Sequence, residues 1–129
     1  MHPFHPVERR TILVAEDEPE LRSLISNALS PLGYSVLLAK NGEQAYRLCR
    51  QYQGSIHLLI TDMLMPVMNG LDLAVKVHAL RPETRILYLS ESAVLKGAFT
   101  EEPGVAFLPK PFTVPELVGK VREVLSSSS

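Results

Sequence analysis

The stretch HLLITD, residues 57–62, joins a continuous apolar run directly to an acidic side chain. Short continuous apolar runs are typical of β-strands that are covered on both faces of a sheet. The stretches ILVA, residues 12–15, and ILYL, residues 86–89, have the same character. Together with two weaker runs they predict five strands, at Thr11–Ala15, Tyr34–Ala39, His57–Thr61, Arg85–Leu89 and Val105–Leu108.

Segments with helical periodicity separate these strands. Pro19 suits the first turn of the first helix. Asn41 and Asn69 suit the N-caps of the next two helices. Thr113 and Glu116 form a capping box before the last helix. The apolar stripe of the third helix predicts four buried side chains, those of Leu73, Ala74, Val77 and Leu80.

The segment Glu91–Glu102 is less regular. Its apolar stripe is poor and Gly97 lies in its middle, so it predicts a fourth helix that is short or irregular. Five strands that alternate with helices indicate an α/β fold, a doubly wound parallel sheet with helices on both faces. In such sheets, ligands bind beyond the carboxyl ends of the strands, where the strand order reverses.

Length and composition predict one globular domain. The chain has 129 residues, of which 46% are hydrophobic and 21% are charged. We expect a flexible arm at 1–10, the folded domain at 11–125 and a disordered tail at 126–129. Lys and Arg number 13 against 14 Asp and Glu, so bulk charge gives no support for a nucleic-acid or membrane-surface binder.

The cysteine count and the hydropathy of the chain indicate the cellular compartment of the protein. Cys49 is the only cysteine, which excludes an internal disulfide and a cysteine metal cage. The opening residues MHPFHPVERR lack the apolar core of a secretory signal, and no apolar run reaches the length of a membrane span. These features predict a cytoplasmic domain.

Acidic side chains follow two of the predicted strands. Glu16 and Asp17 come directly after the first strand, and Asp62 comes directly after the third. If these strands are neighbours, their carboxylates converge, and such crowding favours a bound cation. Mg²⁺ is the usual intracellular cation with oxygen ligands. Each acidic residue alone would more often be a solvated loop position, so the hypothesis depends on the whole set.

Ser90 and Lys110 complete the set, because they close the fourth and fifth strands at the same edge of the sheet. A lysine supplies a cation for a phosphoryl oxygen and a serine supplies a hydrogen-bond donor. With the carboxylates they form a candidate phosphoryl site, in which a carboxylate nucleophile would form an aspartyl phosphate.

Four blocks, in this order, carry a family resemblance: ILVAEDEP, LLITDMLMPVMNG, YLSES and FLPKPF. They resemble the signature blocks of response-regulator receiver domains, the phosphoacceptor modules of two-component signalling. The resemblance runs from residue 11 to about residue 125. It implies a flavodoxin-like (βα)5 fold with strand order 2-1-3-4-5. The stretch EPGVAFLPKPFTVPELVGKVREVL, residues 102–125, is most similar to receivers at the C-terminus of hybrid histidine kinases.

The resemblance implies a role for individual residues. Asp62 matches the phosphoacceptor, and Lys110 matches the lysine that assists it. The implied Mg²⁺ ligands are Asp17, Asp62, the backbone carbonyl of Leu64 and, through water, Glu16. Ser90 matches the switch hydroxyl and Phe107 the aromatic switch position. Pro111 matches a proline that usually follows a cis peptide bond.

The resemblance also implies partners. The phosphoryl donor would be a phosphohistidine on a sensor histidine kinase or a histidine phosphotransfer protein. Phosphorylation would move Ser90 and turn Phe107 inward, changing the surface offered to an unknown output partner. The domain would be a phosphoryl acceptor and not an enzyme, with at most slow self-dephosphorylation. Homodimerisation stays open, and no direct contact with nucleic acid or membrane is expected.

Two features depart from the family pattern. The position after Ser90 is usually small, but here it is Glu91, which could repel a phosphoryl donor or turn outwards. In addition, the stretch between Ser90 and Lys110 is a couple of residues shorter than in many relatives. The surface that usually changes on phosphorylation could therefore be remodelled.

Three alternative functions remain open. The first is a degenerate receiver that binds a partner without phosphorylation. Glu91 supports this hypothesis, because its carboxylate could repel a phosphoryl donor. The second is an aspartyl-phosphate phosphohydrolase of the haloacid dehalogenase type, but that class needs an aspartate where this chain has Leu64. The third is a flavodoxin-like flavin binder, although no phosphate-binding loop follows the first strand and the acidic edge would repel a flavin phosphate.

Overall fold

The computed structural model describes residues 9–91 and 104–126. Within these ranges the strands are β1 Thr11–Ala15, β2 Ser35–Ala39, β3 Leu58–Asp62, β4 Arg85–Ser90 and β5 Val105–Pro109. The α-helices are α1 Pro19–Leu29, α2 Gly42–Gln51, α3 Gly70–Leu80 and α4 Val114–Ser126. A 3₁₀ turn at Ser30–Leu32 follows α1. No described helix is both long and apolar enough to cross a membrane.

The strands form one parallel sheet in the order β2-β1-β3-β4-β5, which confirms the predicted flavodoxin-like topology. Apolar clusters cover both faces. One face packs against α2 and α3 through side chains such as Leu59 and Val77. The other packs against α1 and α4 through side chains such as Ile25 and Leu117. All five residues of β3 are buried, as the apolar run at residues 58–60 predicted.

The predicted helix caps are present. The side chain of Asn41 accepts the backbone N–H of Gln44 at 2.7 Å. The side chain of Asn69 accepts that of Asp72 at 2.8 Å. In the capping box, Glu116 N–H donates to Thr113 Oγ1 at 3.2 Å and Thr113 N–H donates to Glu116 Oε1 at 2.8 Å. These bonds satisfy backbone donors at the helix N-termini and fix where each helix leaves the edge of the sheet.

Two arginines close the C-terminal end of α4. The guanidinium of Arg10 donates to the carbonyl of Leu125 at 3.1 Å. That of Arg85 donates to the carbonyls of Val124 at 3.0 Å and Leu125 at 3.1 Å. Cations at this end stabilise a helix because its last carbonyls lack partners within the helix and carry partial negative charge.

One predicted core position was wrong. The side chain of Leu80 is 45% exposed, whereas Leu73, Ala74 and Val77 are buried. Leu80 is the last residue of α3, so its side chain lies at the end of the apolar stripe. The irregular helix predicted beyond Glu91, most of the predicted N-terminal arm and most of the predicted tail lie outside the described residues.

Candidate functional site

The site begins where β1 and β3 end side by side. Ala15 and Thr61 are paired in the parallel register, so Glu16 and Asp62 follow matched positions. One carboxylate oxygen from each of Glu16, Asp17 and Asp62 lies within 4.8 Å of the other two. Glu16 and Asp62 are buried, with 1% and 4% exposure, whereas Asp17 is exposed. The predicted acidic cluster therefore exists, with two of its carboxylates in the protein interior.

Glu16 is held in place by its neighbours along the chain. Its Oε2 accepts the backbone N–H of Glu18 at 3.1 Å, and its carbonyl oxygen accepts the guanidinium of Arg22 at 2.8 Å. Its Oε1 is buried and accepts no hydrogen bond within the described part of the chain. Burial, followed by the adjacent carboxyl group of Asp62, raises the pKa of the Glu16 carboxyl to about 8.

This arrangement fits a divalent cation. The three carboxylates supply hard oxygen ligands, and a buried carboxylate oxygen without a donor is costly unless a cation or donor reaches it. Burial of Glu16, and after it the neighbouring Asp62, raises the pKa of the Glu16 carboxyl, which agrees with a site that needs a cation to stay ionised. The donor set contains oxygen atoms alone, which suits Mg²⁺.

Lys110 reaches this cluster from the end of β5. Its backbone N–H donates to the carbonyl of Ser90 at 2.7 Å, and the peptide bond to Pro111 is cis, as predicted. Its Nζ lies 2.6 Å from Asp62 Oδ1 and 3.9 Å from Glu16 Oε1. Burial lowers the pKa of Lys110, but the hydrogen bond and charge of Asp62 outweigh it, so the pKa is raised. Lys110 is therefore a cation held against the acidic cluster.

A cavity of about 300 Å³ opens beside these groups. Its lining includes Asp62, Leu64, Ser90, Glu91 and Lys110. Ser90 is 7% exposed and ends β4, as predicted, one strand away from Asp62. The cavity thus combines a carboxylate, a hydroxyl and an ammonium, the groups that a phosphoryl acceptor requires.

The remaining predicted positions lie around this cavity. The Leu64 side chain is 75% exposed; the role of its carbonyl as a metal ligand stays a prediction. Phe107 is 5% exposed and stacks on Tyr88, with ring centroids 5.3 Å apart and an interplanar angle of 29°. Phe107, the predicted aromatic switch residue, is thus packed inside the α2 and α3 face of the sheet.

Tyr88 was missed by the sequence reasoning, although a signal existed. It lies two residues before Ser90 on β4, so both side chains share one face of the strand. It is also paired in register with Phe107. Aligning the carboxyl ends of the predicted fourth and fifth strands would have placed the two rings opposite each other. Tyr88 therefore lies on the same face of β4 as Ser90 and stacks on Phe107.

Comparison with known proteins agrees with this geometry. Residues 12–122 match the family model described as the response regulator receiver domain. The response regulator receiver protein CpdR of Brucella abortus is 33% identical over 118 residues, covering 90% of this chain and 97% of CpdR. The receiver domain from the hybrid histidine kinase CckA is 34% identical with a TM-score of 0.77, covering 90% of this chain and 99% of that domain.

A longer relative is also similar. The DNA-binding transcriptional regulator NtrC of Azospirillum brasilense is 38% identical over 121 residues, covering 92% of this chain. The chain spans 25% of the length of that protein. The similarity is therefore to one part of that regulator. Since the family model covers most of the chain, and the fold and the acidic cluster agree with it, the chain belongs to the response-regulator receiver domains.

Proposed function

We propose that this receiver domain accepts a phosphoryl group on Asp62 in the presence of Mg²⁺. The observation that carries this proposal is the position of Asp62. It lies within 4.8 Å of the carboxylates of Glu16 and Asp17, forms an ion pair with Lys110, and lines the cavity that contains Ser90. A phosphoryl group in that cavity could therefore meet the nucleophile, a cation and a hydroxyl together.

The donor would be a phosphohistidine on a sensor histidine kinase or a histidine phosphotransfer protein. An oxygen lone pair of Asp62 forms the new P–O bond while the N–P bond breaks and its electron pair returns to the imidazole. Lys110 would turn from Asp62 Oδ1 towards a phosphoryl oxygen, and the Ser90 hydroxyl would donate to another.

The metal would be held by Asp17, Asp62, the backbone carbonyl of Leu64 and, through water, Glu16. When bound, Mg²⁺ supplies positive charge that neutralises these carboxylates and the phosphoryl oxygens. Without it, the three carboxylates would repel one another, because each has an oxygen within 4.8 Å of the other two and two of them are buried. Phosphorylation is therefore expected to depend on the metal.

Signalling would follow from Ser90 and Phe107. Movement of the Ser90 hydroxyl towards the phosphoryl group would repack the stacked rings of Tyr88 and Phe107. Because Phe107 lacks a hydroxyl, its contribution would be packing alone. The changed surface would be read by an output partner. The domain would act as an acceptor with at most slow self-dephosphorylation, in the cytoplasm, where the buried free thiol of Cys49 stays reduced.

The test is intact-mass measurement after incubation with acetyl phosphate. We expect one phosphoryl mass on the unmodified chain with Mg²⁺, and no adduct with EDTA or on Asp62→Asn. Asp72→Asn, which changes an exposed aspartate in the first turn of α3, is the matched control and should be phosphorylated normally. Failure to form an adduct in any condition would instead support a receiver that binds its partner without phosphorylation.

A further inference from the structure

The cavity of about 300 Å³ beside Asp62 and Ser90, here called the phosphoryl cavity, has a larger neighbour of about 530 Å³. The second cavity lies against α1 and is lined by Glu18, Glu20 and Leu21, among others. Glu91 and Lys110 line both cavities. A donor that reaches the phosphoryl cavity from the side of α1 therefore passes both side chains.

Among the described residues that line this passage, most of the charge is negative. Glu18, Glu20 and Glu91 are exposed carboxylates in the lining of the larger cavity. Lys110 is the one cationic side chain among the described lining residues, and its Nζ is already paired with Asp62 at 2.6 Å. Glu91 also acts on Lys110 electrostatically, as one of the charges that raise its pKa.

Negative charge at this position affects donors unequally. A free dianionic donor such as acetyl phosphate is repelled, because like charges cost free energy and the passage offers no unpaired cation within the described residues. A phosphohistidine that has lysine or arginine beside it carries its own compensating charge. Such a donor would gain from the same carboxylates that repel the small anion.

We propose that Glu91 selects the phosphoryl donor by charge: it slows transfer from free anionic donors and favours a phosphohistidine flanked by cationic side chains. The inference rests on the proposed phosphorylation of Asp62. The bonds exchanged are the same for every donor. The P–O bond to Asp62 forms, and the broken bond leaves its electron pair on acetate, on ammonia from phosphoramidate, or on imidazole from phosphohistidine.

The first experiment compares two free donors. Initial rates of adduct formation from dianionic acetyl phosphate and monoanionic phosphoramidate are measured for the unmodified chain, Glu91→Gln and Glu91→Ala. We expect Glu91→Gln to raise the acetyl phosphate rate by about 3- to 10-fold at low salt and to raise the phosphoramidate rate less. The difference between Glu91→Gln and the unmodified chain should shrink as salt increases, because salt screens the charge of Glu91. Glu83→Gln is the matched control, because Glu83 is an exposed carboxylate before β4 at the opposite end of the sheet. It should leave the ratio of the acetyl phosphate rate to the phosphoramidate rate unchanged.

The second experiment uses two short phosphohistidine peptides, one flanked by lysines and the other by glutamates. We expect the unmodified chain to react faster with the lysine peptide and Glu91→Gln to lose most of this preference. Acceleration by Glu91→Ala without any effect of the equal-sized Glu91→Gln would show that size, and not charge, controls access, and would overturn the inference.

The outcomes separate the two proposals. If the unmodified chain forms the Asp62 adduct but its donor ratios do not change in Glu91→Gln, only the charge selection is wrong. If no donor phosphorylates the unmodified chain, the proposed function fails and the inference fails with it. A thermal unfolding midpoint close to that of the unmodified chain, expected because Glu91 is exposed, shows that the variant is folded.

Discussion

Nζ of Lys110 lies 2.6 Å from Oδ1 of Asp62, although β4 separates β3, which ends at Asp62, from β5, which Lys110 directly follows. Both side chains are mostly buried, with 18% and 6% exposure. The ion pair therefore joins the carboxyl ends of β3 and β5 across the cavity beside Ser90. In a poorly solvated site, a cation in this position is worth more than at the surface.

Replacement of this cation should impair phosphorylation. If Asp62 is the phosphoacceptor, we expect Lys110→Met to lower the initial rate from acetyl phosphate by on the order of 100-fold, since it removes the cation that would meet the phosphoryl oxygens. Lys120→Met is the control, because Lys120 lies on α4 and pairs with Glu123 at 3.4 Å. Its rate should equal that of the unmodified chain. A Lys110→Met rate equal to the control rate would remove Lys110 from the mechanism.

Gly70 is expected to tolerate no side chain. A Cβ at this position would overlap the carbonyl oxygen of Asp62 and lie 2.8 Å from its carbonyl carbon. Because these are backbone atoms, they cannot move aside without displacing Asp62. We expect Gly70→Ala to lower the free energy of unfolding by about 3 kcal/mol in urea titrations and to slow phosphorylation.

Gly119 provides the matched control for that substitution. It lies within α4, and a Cβ there would meet no atom within 4 Å. Gly119→Ala should raise the free energy of unfolding by about 0.5–1 kcal/mol, since alanine is the better helix former. Equal effects of the two substitutions would contradict the close approach of Gly70 to Asp62.

Val67 adopts a backbone conformation that suits glycine. Its φ is 73°, in the left-handed region, and its side chain is 83% exposed. A β-branched residue is strained there and this side chain has little packing to lose. We expect Val67→Gly to raise the free energy of unfolding by about 0.5–1 kcal/mol in urea titrations. Val75→Gly, a 69% exposed valine within α3, should lower it by about 1 kcal/mol.

His57 should make stability depend on pH. Its Nδ1 accepts the backbone N–H of Thr11 at 2.9 Å, which requires that nitrogen to be unprotonated. Burial, with the charge of Arg10, lowers its pKa below 6.5. At pH values near and below 6.5, His57 therefore binds more protons in the unfolded chain than in the folded one. The contribution of His57 to the free energy of unfolding falls as pH falls.

The measurement is a series of urea titrations between about pH 7 and pH 5.5, where an unperturbed histidine titrates. The raised pKa of Glu16 contributes a pH dependence of the opposite sign over this range, so the effect of His57 is the difference between two profiles. We expect the unmodified chain to lose stability towards the acidic end relative to His57→Gln. His78→Gln, which changes an exposed histidine on α3, should show the same pH profile as the unmodified chain. If the free energies of unfolding of His57→Gln and of the unmodified chain changed in parallel with pH, the hydrogen bond from Thr11 would not control the protonation of His57.

Much of the fold was predictable because its determinants are local. Continuous apolar runs marked strands buried on both faces, and the side chains of Asn41, Asn69 and Thr113 marked helix starts that the structure confirms. The burial of Leu80 was predicted wrongly, because periodicity does not show where an apolar stripe ends. The acidic cluster was predictable once strands β1 and β3 were assumed to be neighbours.

Other features of the site depend on packing between distant segments. The stacking of Tyr88 on Phe107 depends on the exact register of β4 and β5. The shared position of Glu91 and Lys110 between two cavities depends on how α1 lies against the end of the sheet. The left-handed conformation of Val67 is set by the loop that returns the chain from Asp62 to α3. The last two do not follow from periodicity or residue type, whereas the pairing of Tyr88 with Phe107 follows once the carboxyl ends of β4 and β5 are aligned.

The bond from Arg10 to the carbonyl of Leu125 brings the beginning and the end of the described domain together. Arg10 precedes β1, so both points lie at the amino-terminal edge of the sheet, opposite Asp62. Domains whose ends meet tolerate circular permutation and insertion into other chains. This receiver could therefore be inserted into a surface loop of a reporter protein, with both connections leaving on the side away from phosphorylation and the phosphoryl cavity open to a donor.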